Sequence, residues 1–125
     1  MLIRNILEES VRKFDEVKAV KWLKKKEIME RSYGELMENV VSTRKGLLAE
    51  GFEGKHIALI GTSSVEWMES YLGIITGCTT AVPLDAALPC EDLIDLLNRS
   101  DSAALFLSPK LRPYLDAFLE NCPKL

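Results

Sequence analysis

Side chains able to do chemistry collect in three short runs: Gly61-Thr62-Ser63-Ser64, Asp85-Ala86-Ala87 and Ser108. Each follows a stretch that reads as a strand, and in open α/β sheets ligands sit beyond the carboxyl ends of the strands. The first run puts small hydroxyl residues at a helix N-terminus, where backbone N–H groups and the helix dipole can accept a phosphate. Ser63 and Glu66 also make a capping box, S-x-x-E, which by itself explains both residues. Asp85 has the chemistry of a general base. Such a base needs a partner within hydrogen-bond reach, and the sequence places neither a histidine nor a second carboxylate to work with it. A turn aspartate is the simpler reading. His56, the only histidine, starts a strand and so falls at the opposite edge from the expected ligand side. No residue is therefore assigned as catalytic, cofactor-binding or metal-binding.

Cys78, Cys90 and Cys122 are odd in number and far apart, and with a single histidine they argue against a closed zinc site. They read as reduced thiols of a cytoplasmic protein. The triplet Lys24-Lys25-Lys26 could bind an anion, but between two strand-like runs it reads more simply as a solvated hairpin tip. Trp22 and Trp67 read as packing residues. Gly46 and Gly51 have P-loop spacing, yet Phe52 stands where a lysine is required and the segment is helical. GxGxxG, HExxH and GxSxG patterns are absent.

The elements that must position these residues follow from periodicity. Ile3, Leu7, Val11 and Phe14 predict an amphipathic helix over 3–14 with a charged outer face. Residues 17–23 alternate as a half-buried strand, and EIMERS is its hairpin partner. A capping box at Ser32 and Glu35 opens a helix with the stripe Leu36, Val40, Thr43 and Leu47, ended by Gly51. Ile57 to Ile60 form a continuous apolar run, expected of a strand covered on both faces. A helix starting just after Gly61 and stopped by Gly77 is apolar over a wide arc, which predicts a helix wedged between layers. Residues 79–84 and 103–107 read as two further buried strands. Between them a helix starts at Pro89 with Glu91 and Asp92 in its first turn. Ser108 and Pro109 predict the cap of one final helix with the stripe Leu111, Tyr114, Leu115, Phe118, Leu119 and Cys122. The fold class is α/β: a layered, mainly parallel sheet with flanking helices and an N-terminal β-hairpin.

Composition excludes several classes. Of 125 residues, 47% are apolar and 28% charged, an ordinary globular balance rather than a disordered one. A net charge of -3 argues against nucleic acid as the main partner. The apolar run from Tyr71 to Val82 is broken by Gly73, Thr76, Gly77, Thr79 and Thr80 and falls short of the roughly 20 residues of a spanning helix. Glu8 and Glu9 argue against a signal or transit peptide.

Four passages carry a family resemblance: SYGEL, GLLAEGFEGKHIALIG, SSVEWMESYLGIITGCTTAVPLD and LPCEDLIDLLNRSDSAALF. Their order and spacing resemble the start of the adenylate-forming, AMP-binding superfamily of acyl-CoA synthetases, peptide-synthetase adenylation domains and luciferases. PLDAALPCEDLIDLLNRSD leans toward the fatty acyl-CoA synthetase branch. The resemblance implies that residues 1–125 are the N-terminal subdomain of a larger synthetase domain. In the full-length enzyme a fatty acid would be joined to ATP, with Mg2+, and then passed to CoA. The family's Ser/Thr/Gly-rich phosphate loop, Tyr-Gly-x-Thr-Glu and Thr-Gly-Asp segments and C-terminal lysine are not found here, and Leu125 falls about where the next strand would begin. The fragment alone is therefore expected to be inactive and to bind no cofactor tightly. It is also expected to self-associate through an unpaired sheet edge and an apolar face. The alternatives are a stand-alone binding or assembly module derived from a synthetase fragment, the start of a peptide-synthetase adenylation domain, or an unrelated doubly wound domain with a nucleotide at the Gly61 turn.

Overall fold

The computed structural model describes residues 2–125. Its centre is β3 (His56–Ile60), flanked in parallel by β4 (Thr80–Leu84) and β5 (Ser102–Leu107) in the order β4-β3-β5. Ile57 to Ile60 are all buried. The two-residue pleat sends Ala58 and Ile60 to one face and Ile57 to the other, and each face has its own core. Ala58 and Ile60 pack with Leu93 and Leu97 of α4 (Cys90–Arg99), Phe118 of α5 (Leu115–Asn121) and Cys122. Ile57 packs with Leu47 of α2 (Tyr33–Ala49) and Ile74 of α3 (Val65–Ile75). Handedness explains the division. The β3-α3-β4 crossover and the β4-α4-β5 crossover run in opposite directions across the sheet, so right-handed connections put α3 and α4 on opposite faces.

The outer strands correct the expectation of further buried strands. In β4 both Thr80 and Pro83 are exposed, and in β5 all but Ser102 is only half-buried. Pro83 has no N–H to give a second neighbour and is tolerated because β4 lies at an edge. Short apolar runs look alike whether a strand is inner or outer, and only β3 is enclosed.

The ends of α2 follow the sequence. Glu35 N–H donates to Ser32 Oγ at 3.1 Å and Ser32 N–H to Glu35 Oε2 at 2.9 Å, completing the box. At the other end Gly51 takes φ +81°, Phe52 N–H reaches Leu47 O and Gly51 N–H reaches Leu48 O. This is the Schellman closure, and Leu47 and Phe52 meet in the same apolar cluster beneath it. The box expected at Ser63 and Glu66 does not form; a single cap one residue later takes its place. Ser64 is the cap, its Oγ accepting from Trp67 N–H at 3.0 Å, so α3 begins at Val65. Two adjacent serines offer two registers, and the extended backbone of Ser64 decides between them.

Helix α3 is wedged between layers as its wide apolar arc implied, against α2 on one side and the sheet on the other. The crossing is close at Gly73, where a Cβ would lie 2.5 Å from Thr43 Cβ and 3.1 Å from Val40 O. A buried polar cluster that the periodicity does not announce sits beside it. Glu69 is 4% exposed and accepts from Asn39 Nδ2 of α2 at 2.6 Å. Arg31 Nε lies 3.0 Å from the same oxygen, but its N–H makes no directed hydrogen bond, so the contact is an ion pair.

Arg31 belongs to the hairpin of β1 (Lys18–Lys24) and β2 (Glu27–Ser32), and its guanidinium lies 5.4 Å from the centre of the Trp22 ring. Trp22, Arg31, Glu69 and Asn39 thus pin the hairpin to the helical layer. Helix α1 (Ile3–Phe14) forms where predicted, yet none of its residues is buried, and Ile3 and Phe14 of its stripe are about half exposed. It rests mainly on α2, too narrow a contact to cover the stripe. The single final helix is also corrected. Pro109–Tyr114 is a 3-10 helix, followed by α5, and Ser108 makes no side-chain cap. Pro113 lacks an N–H and crowds the preceding turn, which prevents one continuous α-helix. Among the described residues no helix is long and apolar enough to cross a membrane.

Candidate functional site

The three runs singled out in the sequence meet at one edge of the sheet. Gly61 to Ser64 leave β3 toward α3 on one face, while Ser108 leaves β5 toward the 3-10 helix and α5 on the other. Connections diverging from neighbouring strands open a crevice between them, the topological switch point of an open α/β sheet. The cleft has a volume of about 610 Å³ and is lined by Gly61, Thr62, Ser64 and Trp67 on one side and by Phe106, Ser108 and Lys110 on the other. Its floor is fixed by backbone: Ser108 N–H donates to Ile60 O at 2.9 Å. A Cβ at Gly61 would lie 3.3 Å from Ser108 Cβ, so a small residue lets the two turns approach. Asp85, Ala86 and Ala87 line a second groove of about 360 Å³ with Gly61, Thr62 and Ser63, on the β4 side of the same edge.

The polar groups here mostly serve the chain itself. Ser64 Oγ caps α3, and Asp85 Oδ1 accepts from Ala87 N–H at 2.8 Å, the turn role assigned from sequence. What remains toward solvent is an apolar wall whose charged lining is two lysines, Lys24 and Lys110, and one carboxylate, Glu66. Trp67 stacks on Tyr71 with ring centres 5.2 Å apart and planes at 10°, presenting a flat aromatic surface. Lys24 reaches the cleft from the hairpin and Lys110 from beyond β5. Such a surface can hold and orient an anionic ligand with an apolar portion. The sequence assigned Trp67 to packing and Lys24, within its lysine triplet, to a solvated hairpin tip rather than an anion site, and it did not single out Lys110. Lys110 was findable, since it follows Ser108 at a strand end, whereas Lys24 comes to the cleft only because the hairpin folds back.

Other reactive groups stand apart. His56 Nδ1 is 2.7 Å from Ser100 O at the opposite sheet edge; a carbonyl only accepts, so Nδ1 carries the proton. Nearby, Lys124 donates to Asp101 and holds that carboxyl below the ordinary aspartate range. Cys78 is exposed, Cys90 half-buried and Cys122 buried, all as free thiols, and burial pushes the Cys122 thiol up. Among the described residues no three His, Cys, Asp or Glu side chains converge as metal ligands. Arg44 donates from Nη2 to Thr76 Oγ1 at 2.9 Å at the C-terminal end of α3, where a cation complements the helix dipole. Partial burial and the neighbouring Arg4 lower its pKa.

The sequence matches no curated protein directly. Among solved structures, the N-terminal domain of FACL13 from Mycobacterium tuberculosis superposes with a TM-score of 0.88 at 19% identity, over 100% of this chain and 32% of that one. A fatty acyl CoA synthetase, also from Mycobacterium tuberculosis, gives 0.81 at 20% identity over 93% and 23%. The anthranilate CoA ligase AuaEII, solved with anthranoyl-AMP, gives 0.84 at 18% identity over 100% and 24%. These likenesses show the fold, and the chain spans about a third or less of each of those proteins. The model of the AMP-binding enzyme family matches residues 7–124. The switch-point cleft, its two flanking turns and nearly all of the surrounding scaffold thus lie inside one family match, and the chain belongs to the AMP-binding enzymes.

Proposed function

We propose that residues 1–125 form the N-terminal subdomain of an ATP-dependent acid–thiol ligase that adenylates a fatty acid and then passes the acyl group to CoA. The observation that carries this reading is the family match across 7–124 in a chain spanning only 32% of the solved N-terminal domain of FACL13. The role of this part is to supply the wall of the cleft between β3 and β5. Trp67 and Phe106 give that wall its apolar surface, and Lys24 and Lys110 bias its lip toward carboxylates and phosphates. ATP, Mg2+ and CoA are handled by the whole enzyme, which we place in the cytoplasm. Asp85 and Ser64 are committed to turn and cap, which supports a positioning role for this subdomain rather than a reacting one.

ATP–pyrophosphate exchange tests the reading. The 125-residue chain alone gives no exchange with any carboxylic acid, and the whole protein gives exchange that depends on a fatty acid. Exchange by the chain alone overturns the positioning role. Exchange that depends on an amino acid assigns a peptide-synthetase adenylation domain instead, the reading favoured by the likeness to the peptide synthetase FmoA3, at a TM-score of 0.80. The half-buried, unpaired side of β5 supports self-association of the isolated chain. A single monomer boundary in sedimentation across micromolar concentrations refutes it.

A further inference from the structure

The charged groups that line the cleft have different supports. Glu66 belongs to α3 and Lys110 to the 3-10 helix after β5, both attached to the parallel sheet. Lys24 comes from the hairpin, whose two strands pair only with each other. Without Lys24 the lining holds one cation and one carboxylate and is neutral on balance. With Lys24 in place it carries an excess positive charge. Where the hairpin sits therefore sets the charge of the cleft.

The hairpin is held at Trp22 and Arg31. Strand alternation puts Lys24 on the same inward face as Val20 and Trp22, two residues and roughly 7 Å beyond the tryptophan. Lys24 pairs with Glu27, so the turn is only Lys25 and Lys26, at φ +49° and +69°. A two-residue turn of this kind leaves no slack between anchor and tip. The anchor ends on Glu69. The Arg31 guanidinium lies 5.4 Å from the Trp22 ring centre and its Nε 3.0 Å from Glu69 Oε2, which also accepts from Asn39 Nδ2 at 2.6 Å. Glu69 sits on α3 beside Glu66, Trp67 and Ser70, all of which line the cleft, so one turn of helix carries both the lock and the wall. At 4% exposure this carboxylate is costly to bury. A buried ion pair adds little stability over apolar residues of similar size, and its best-attested use is to fix one arrangement of the elements it joins.

We propose that Glu69 is a positioning residue for the cleft: through Arg31 and Trp22 it holds Lys24 at the lip and so makes the cleft selective for anions. The inference rests on the reading of the cleft as a ligand site and uses no ligase chemistry. Its test compares two fluorescent probes on the 125-residue chain. Anilinonaphthalene sulfonate is an anion with an apolar body, and phenylnaphthylamine is the same body without the sulfonate. The anion is expected to bind more tightly. Lys24 is exposed, so Lys24→Met reads the lip without disturbing the fold, and it weakens the anion about 5-fold, the upper range for one exposed charge pair. Lys24→Arg keeps the charge and keeps the binding. Glu69→Gln retains an acceptor for Asn39 but not the charge that holds Arg31. It is expected to weaken the anion as much as Lys24→Met does, to leave the neutral probe unchanged, and to add nothing in the Lys24→Met background. Equal loss of both probes in Glu69→Gln, or a further loss in the Lys24→Met background, shows a general loosening and overturns the proposal. Lys110→Met separates the two readings. If it weakens the anion while Lys24→Met and Glu69→Gln do not, the cleft stands and the positioning role fails. If none of the three matters, the probe binds elsewhere and the cleft reading falls with the proposal.

Discussion

Gly73→Ala and Gly46→Ala are the same chemical change on two helices, and the structure gives them opposite signs. In an unobstructed helix, alanine in place of glycine stabilises by roughly 1 kcal/mol, because the glycine backbone has more freedom to lose on folding. Gly46 lies on α2 with nothing within 4 Å of a Cβ built there, so Gly46→Ala is expected to raise stability by about 0.5–1 kcal/mol. At Gly73 the new Cβ meets Thr43 Cβ at 2.5 Å, Thr43 Cγ2 at 2.6 Å and Val40 O at 3.1 Å. The first contact is short of ordinary van der Waals separation by roughly 1 Å. Rotating Thr43 does not relieve it, since Thr43 Cβ and Val40 O are both fixed to the α2 backbone. The helices must separate, and overpacking of this kind costs about 1–3 kcal/mol. After the gain in helix propensity, Gly73→Ala is expected to destabilise by about 1–2 kcal/mol. Thermal unfolding reads both changes, with each kcal/mol moving the midpoint by about 3–5 °C in a domain of this size. Thr43→Gly removes the obstructing Cβ and should relieve most of the cost of Gly73→Ala in its background, leaving only the 3.1 Å approach to Val40 O. A Gly73→Ala variant as stable as Gly46→Ala would refute the close crossing of α2 and α3.

The polar cluster and the ion pair at the far sheet edge give two further expectations. Glu69→Ala leaves Asn39 without its acceptor and Arg31 without its counter-charge and should destabilise by about 2–3 kcal/mol. That is below the 3–5 kcal/mol of a fully enclosed pair, because the Arg31 side chain keeps 27% exposure. A urea-unfolding cycle with Arg31→Met that shows no coupling would refute the pairing. Asp101 titrates below the ordinary value of 3.8, first because Lys124 donates a hydrogen bond to it. A depressed carboxyl contributes stability that is complete above the unfolded value and is lost as pH falls through the folded one. In Lys124→Met the Asp101 titration, followed by carbon NMR, should shift upward and the acid side of the stability profile should lose this small contribution. An unmoved midpoint would show that the pair does not form in solution.

The sequence by itself determined the features that depend on neighbouring residues. The box at Ser32 and Glu35, the stop at Gly51 and the buried run Ile57 to Ile60 all rest on local geometry and stand as read. The convergence of Gly61, Asp85 and Ser108 on one edge was legible for the same reason, since strands in a parallel sheet share one carboxyl end. Tertiary structure decided the rest. Whether β4 and β5 are inner or outer strands depends on strand order, which short apolar runs do not encode. Whether Ser63 or Ser64 caps α3 depends on one backbone torsion that either serine could adopt. Glu69 sits among apolar neighbours in sequence, and its burial became tolerable only when Asn39 from α2 and Arg31 from the hairpin closed around it. Lys24 reads as a solvated hairpin residue, and the fold brought it to the lip of the cleft. A side chain carries its own chemistry in sequence, but its partners and its exposure exist only once distant segments are brought together.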